Sequence, residues 1–197
     1  MHDMYKDLEK YEVKHIYTLS NKLKWWGDGV WVDEPDTVLF KYKGYDCEVE
    51  RIVSPENPKH TNHMFGGHLC GYIRIPEGHP LFGQVVFDLD DRLDINVHGG
   101  LTFGEMIDGE YWIGFDCAHS GDCMPSMEYL KKTDPSLISI RKAFPIPKTM
   151  ENHALFNPVY RNVDYVIAEI KDAVEQLIAM ELTNIIEGHS NVQVGDK

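Results

Sequence analysis

Several quick routes to an assignment are closed by what this chain does not contain. Its four cysteines, Cys47, Cys70, Cys117 and Cys123, form no C-x-x-C pair, so nothing supports a structural zinc knuckle. A chain this rich in core residues does not need a disulfide framework, and three of the four cysteines sit in apolar, strand-like runs that suit buried free thiols. Basic residues are scarce: 19 Lys and Arg stand against 32 Asp and Glu, a net charge of -13. Proteins that track a phosphate backbone are normally basic, so long nucleic acid is not expected as a partner, although a local cationic pocket for a small anion stays open. No run of about 18 apolar residues exists, which argues against a membrane-spanning helix. The opening residues Met1–Lys6 have no apolar signal-peptide core. There is no internal repeat and no low-complexity tract. Together these absences predict a soluble protein of a reducing, intracellular compartment.

What is present looks globular. Hydrophobic residues make up 43% of 197 positions, with four Trp, ten Tyr and eight Phe, enough for one real core. Residues 3–24 show no strong period, although Leu19, Leu23 and Trp26 form one stripe of a short helix. Trp25, Trp26 and Trp31 fall within seven residues of one another. The plain expectation for them is a hydrophobic clasp over the core, and the sharper one is an aromatic platform for a planar ligand. From Thr37 onward the pattern is strand-like: residues 38–43, 47–53 and 67–75 read as strands separated by turns. Leu93-Asp94-Ile95-Asn96-Val97-His98 alternates strictly, which predicts a strand with Asp94, Asn96 and His98 on its polar face. Residues 111–117 read as a strand buried on both faces. The long segment from Ser120 to about Tyr160 is expected to be mostly loop, with a short helix near 125–132. Val163, Val166, Ile167, Ile170, Val174, Leu177 and Ile178 recur at spacings of three and four, so an amphipathic helix capped by Asn162 or Asp164 should run to about Ile186. The predicted fold class is α+β: a mostly antiparallel sheet with a long C-terminal amphipathic helix, one domain over residues 1–187 and a flexible tail at 188–197.

Two turn motifs carry the chemistry. His98-Gly99-Gly100-Leu101-Thr102 follows the alternating run; its glycines permit a tight reversal and close backbone approach, and free N–H groups there would cradle an anion. Asp116-Cys117-Ala118-His119-Ser120-Gly121-Asp122 follows the next strong strand. If the two converge, His98, Asp116, His119 and Asp122 supply imidazoles and carboxylates for zinc or manganese. The two histidines would otherwise serve as acid and base without metal. A Cys117–His119 nucleophile pair ranks last, because Cys117 continues an apolar run. Convergence is not guaranteed, since in a simple hairpin the end of one strand faces the start of the next. A shared site requires His98 and His119 within about 12 Å of each other. Gly99, Gly100, Thr102, His79 and Arg74 are the candidates for ligand binding, His79 because the Pro76–Pro80 turn would hold it rigidly. His60 and His63, in a polar loop, have metal-like spacing but read better as solvated side chains.

The segments Gly71–Pro80, Asp94–Thr102, Trp112–Asp122 and Tyr160–Val166 resemble a widespread family of small, uncharacterised bacteriophage and prophage proteins, marked by Val-His-Gly-Gly-Leu-Thr and Gly-Phe-Asp-Cys-Ala-His-x-Gly-Asp. The resemblance covers roughly residues 44–180. It implies an accessory protein working in the cytoplasm of a bacterial host cell, where nucleotide signals of host defence form a natural ligand class. The function expected first is hydrolysis of a small phosphorylated or nucleotide-like molecule. Two alternatives stand beside it. One is a protein that sequesters such a nucleotide against host defence, stacking it on Trp25, Trp26 or Trp31. The other is an acidic protein-interaction module. A homo-oligomer is compatible with all three.

Overall fold

Six strands form one antiparallel sheet in the order β1-β2-β3-β4-β6-β5. They are β1 (Glu9–Lys14), β2 (Thr37–Tyr42), β3 (Tyr45–Ser54), β4 (Phe65–Ile75), β5 (Phe103–Ile107) and β6 (Glu110–Asp116). Four helices accompany them: α1 (Leu19–Trp26), α2 (Pro125–Thr133), α3 (Pro135–Ala143) and α4 (Val163–Val192). This computed structural model describes residues 5–53, 66–86, 95–151, 153 and 156–184 in full, and the backbone alone of 54, 65 and 185–192. His60, His63, Leu93 and Asp94 lie outside the described residues. The fold is α+β, as the pattern of strands followed by a periodic C-terminal helix predicts. No described helix is long and apolar enough to cross a membrane.

α4 supplies the second layer. Val163, Val166, Ile167, Ile170, Ala173, Val174 and Leu177 are all buried, the spacing that puts side chains on one helical stripe. They meet Cys47, Val49, Leu69, Ile73, Ile113 and Phe115 from alternate positions of β3, β4 and β6 in a single core. The intervening positions, Glu48, Glu50, Tyr72 and Trp112, therefore face away from α4. Asn162 caps the helix, its Oδ1 accepting the Tyr165 N–H at 2.9 Å. α4 extends to Val192, past the expected end near Ile186 and into residues 188–192 of the expected tail.

The largest departure from expectation lies between β4 and β6. Of the run ending in His98, the described residues Ile95–Val97 lie outside the sheet. Its alternation is nonetheless real, because Ile95 and Val97 are buried in the core. Its polar groups bond to α4 side chains instead of a neighbouring strand. The Asn96 N–H donates to Gln176 Oε1 at 2.9 Å, and Gln176 Nε2 donates back to the Asn96 carbonyl at 2.9 Å. Besides β4, the strand that pairs with β6 is β5, which follows the glycine turn and begins at Phe103, opposite Gly114.

Three ionisable residues are buried together at one end of the sheet. Lys22 and Arg51 both bond Asp36 Oδ1, at 2.8 and 3.1 Å. Arg51 also donates to Glu34 Oε2 at 3.1 Å, the Tyr160 hydroxyl at 2.9 Å and the Gly67 carbonyl at 2.7 Å. Glu34 Oε1 accepts the Val163 N–H at 3.2 Å, in the first turn of α4. Trp26 and Trp31 close over this region as a small core with Cys123, flanked by Trp25, Tyr17 and Tyr160. The clasp expectation for these tryptophans fits; an exposed platform does not, since Trp26 and Trp31 are 1% and 7% exposed.

His79 is buried at the opposite end of α4. Its Nδ1 accepts the Leu81 N–H at 3.0 Å, so Nε2 carries the proton and donates to the Leu177 carbonyl at 3.2 Å. Burial lowers its pKa, only partly offset by the Leu177 carbonyl and Glu181. The unfolded chain therefore takes up a proton near pH 6.5 that the folded chain refuses. The stability due to a neutral His79 is complete above that pH and is lost as pH falls below it. Thermal unfolding between pH 7 and 5 should show a steeper loss of melting temperature for the wild type than for His79→Gln. Equal slopes would exclude this role.

Candidate functional site

β6 ends at Asp116, whose Oδ1 accepts the Ala118 N–H at 3.0 Å and so starts a turn. The turn closes when the Asp122 N–H donates to the His119 carbonyl at 2.9 Å. A bridge to the approach of α4 then pins it: Val159 N–H to the Gly121 carbonyl, and Cys123 N–H to the Val159 carbonyl, both 2.9 Å. On the other side, Gly100 N–H donates to the Val97 carbonyl at 3.0 Å and reverses the chain after His98. Thr102 N–H joins the Gly114 carbonyl at 2.9 Å, which sets the reversal beside the end of β6.

The two motifs meet. The His98 and His119 rings lie 5.6 Å apart between centroids, edge to face. One ligand atom each from His98, His119 and Asp122 lies within 4.8 Å of the others. His98 Nε2 donates to Asp122 Oδ2 at 2.7 Å, and the same oxygen accepts the His119 N–H at 3.0 Å. Asp122 is nearly enclosed, with a side chain 2% exposed. Burial alone would raise its pKa. The hydrogen bonds from His98, Arg161 and the His119 N–H outweigh that effect and hold the carboxyl below its usual range. His119 Nδ1 is buried with no hydrogen-bond partner among the described residues, an arrangement that is costly for a ring nitrogen unless something else binds it.

A supporting ring surrounds these groups. Tyr165 and Glu169 share a face of α4 four residues apart, and Arg161 lies just before the Asn162 cap of that helix. Arg161 Nε donates to Asp122 Oδ1 at 3.1 Å, and its guanidinium stacks 4.7 Å from the Tyr165 ring centroid. The Tyr165 hydroxyl reaches His98 Nδ1 at 3.0 Å, and Glu169 accepts the His98 N–H at 2.9 Å. None of the three follows from the motif reading. For Tyr165 and Glu169 the available signal was a polar row beside the apolar stripe of α4.

The other candidates fall as follows. Asp116 lies at the margin, 3.6 Å from His119 Nδ1, and belongs to the turn rather than to the three-residue cluster. Thr102 is held by its backbone N–H on the Gly114 carbonyl and does not line the cavity beside His119. Gly99 and Gly100 serve it differently from the expected anion cradle, because the N–H groups of His98 and Gly100 are already engaged. Cys117 is buried, and that burial pushes its thiol pKa far up, which removes it as a nucleophile. His79 is absorbed by Leu81 and Leu177, and Arg74 pairs with Asp46 and Glu110; neither is brought to His98. Beside His119 and Asp122 opens a cavity of about 220 Å³, lined also by Ser120, Met124, Met127 and Lys131.

Gly99 has two reasons to be glycine. Its φ of +69° is left-handed, and a Cβ there would stand 2.2 Å from the His119 ring. Gly100, at φ +84°, would bring its Cβ near nothing. Gly99→Ala and Gly100→Ala therefore share a backbone strain of about 1–2 kcal/mol, but only Gly99→Ala must displace His119. In NMR spectra of the histidine ring protons, Gly99→Ala should shift the His119 signals strongly and Gly100→Ala only slightly. Similar spectra for the two variants would refute the close approach.

No protein-family model, curated protein or solved structure matches this chain.

Proposed function

We propose that His98, His119 and Asp122 hold a divalent cation of the zinc or manganese class, and that the protein is a metal-assisted hydrolase of a small phosphorylated or nucleotide-like molecule. One observation carries the reading: three ligand atoms of two imidazoles and a carboxylate converge within 4.8 Å. Two nitrogens and one oxygen leave coordination positions for water and substrate. A cation there supplies a Lewis acid and a water of lowered pKa.

The protein's own groups have definable roles around it. Tyr165 fixes the orientation of the His98 ring through Nδ1, leaving Nε2 directed at the centre. Arg161 holds the outer oxygen of Asp122, leaving Oδ2 directed inward. Such outer partners orient the ligands of metal sites generally. Without a cation, both nitrogens of His98 are taken by Tyr165 and Asp122, so His98 has no free ring atom with which to serve a substrate directly. This favours the metal-bound reading over a metal-free acid–base pair. The cavity of about 220 Å³ suits a small substrate group, and Lys131 at its wall supplies positive charge, shared with Glu128 at 2.6 Å. The bacteriophage resemblance of the motifs points to cyclic and linear nucleotides as first substrates.

Purified protein is to be incubated with cyclic and linear nucleotides in the presence of Mn²⁺ or Zn²⁺, with and without chelator. Turnover that needs the metal and vanishes in His119→Ala supports the proposal. Absence of turnover, together with no metal by elemental analysis, removes it.

A further inference from the structure

We infer that the sheet face turned away from α4 carries a second binding site, for a small organic cation of the alkylammonium type. A groove of about 430 Å³ runs there, walled by Tyr72, Phe103 and Trp112 and edged by Glu48, Glu50 and Asp108. The register explains its form. Glu48 pairs with Tyr72 across β3 and β4, and Phe103 enters from β5 opposite Gly114. With no side chain at Gly114, the Tyr72 and Phe103 rings meet edge to face at 5.3 Å. All three aromatic side chains are half-buried, leaving ring surface open to the groove.

Charge selects the occupant. Glu110, which also lines the groove, is paired with Arg74, as is the neighbouring Asp46. Glu48, Glu50 and Asp108 have no hydrogen bond or ion pair among the described residues. Burial, with the neighbouring Glu50 adding to it and Lys14 only partly offsetting it, raises the Glu48 carboxyl, and burial raises Glu50. Half-buried Glu48 and Glu50 and the exposed Asp108, set among open aromatic faces, are complementary to a cation whose alkyl groups pack on the rings and whose charge is drawn both to the π faces and to the acids. A neutral planar ligand would satisfy the rings but leave the carboxylates unpaired, and an anion would be repelled by both. The site is separate from His98, His119 and Asp122, which face α4 beyond the end of β6.

Isothermal titration with spermidine and with tetramethylammonium, on the full chain, tests this. Saturable binding of one equivalent is expected. Glu48→Gln/Glu50→Gln and Trp112→Leu should each weaken it about tenfold or more. Glu9→Gln/Glu12→Gln, which removes the same charge from the exposed strand β1, should leave it unchanged, and so should His119→Ala. Equal weakening by the β1 pair would reduce the effect to net charge and overturn the site. Unchanged binding in the groove variants at wild-type melting temperature would overturn it too, as would no binding at all. Because His119→Ala is neutral here, failure of this test and failure of the hydrolase proposal are distinguishable.

Discussion

Arg51→Met is expected to destabilise the fold by about 3–5 kcal/mol, the range for breaking a buried ion pair from one side. Arg51 is 2% exposed and Asp36 is 1% exposed. The guanidinium uses its fork fully: Nε to Asp36, Nη1 to Gly67 and Tyr160, and Nη2 to Glu34 and the Pro35 carbonyl. Methionine fills much of the volume but, among the described residues, leaves Asp36 with only Lys22 as a cation and Glu34 with only Tyr160 and the Val163 N–H. The loss extends past local charge, because these residues tie α1, β3, β4 and the first turn of α4 together. Arg51→Lys keeps the charge without the fork, so it should fall between the wild type and Arg51→Met. Urea denaturation measures all three. A loss below about 1 kcal/mol for Arg51→Met, the scale of an exposed pair, would mean that the network contributes nothing beyond surface ion pairing.

The second large effect belongs to Asp122. Asp122→Asn keeps the shape of the side chain but removes the charge and one of its two acceptors: a single amide oxygen can serve either His98 and the His119 N–H or Arg161, and the amide nitrogen then faces a donor. Its expected consequence is a drop in divalent-metal affinity of at least about 100-fold, since even outer partners of metal ligands are worth 10–100-fold. Arg161→Gln, which touches only the outer oxygen, should lower affinity by about 10–100-fold. Ordered losses of this kind, Asp122→Asn larger than Arg161→Gln and both still folded by circular dichroism, distinguish a metal ligand from its support. A pure structural role for Asp122 predicts parallel losses of stability and no metal binding to lose.

Much of this arrangement was legible in the sequence. The 3–4 spacing from Val163 to Leu177 identified α4 and its buried face, and the two turn motifs singled out His98, Asp116, His119 and Asp122 as candidates, of which His98, His119 and Asp122 converge. What the sequence hid was topology. Residues 93–98 alternate as a strand would, but alternation records only which side chains are buried, and at Ile95 and Val97 the partner is a helix rather than a strand. β5, in contrast, is an edge strand of Phe103-Gly104-Glu105-Met106-Ile107 with three exposed positions and has almost no pattern to detect. Taking the first as the strand before β6 placed His98 and Asp116 at opposite ends of a hairpin. With β5 as that strand, the same antiparallel logic brings the glycine turn to the end of β6, where His119 waits. β1 escaped notice for a similar reason, since all six of its positions are exposed. Tyr165 and Glu169 were hidden because a polar residue on a helix normally faces water, and Arg161 because it precedes the helix; only the fold brings the first two to His98 and the third to Asp122.

The most direct test is a calorimetric titration of chelator-treated wild-type protein with Zn²⁺ and Mn²⁺, run beside His98→Ala/His119→Ala. Saturable binding of one equivalent to the wild type, absent from the folded double variant, is the predicted result. No saturable binding to the wild type, or the same binding by the double variant, would contradict a metal centre at His98, His119 and Asp122.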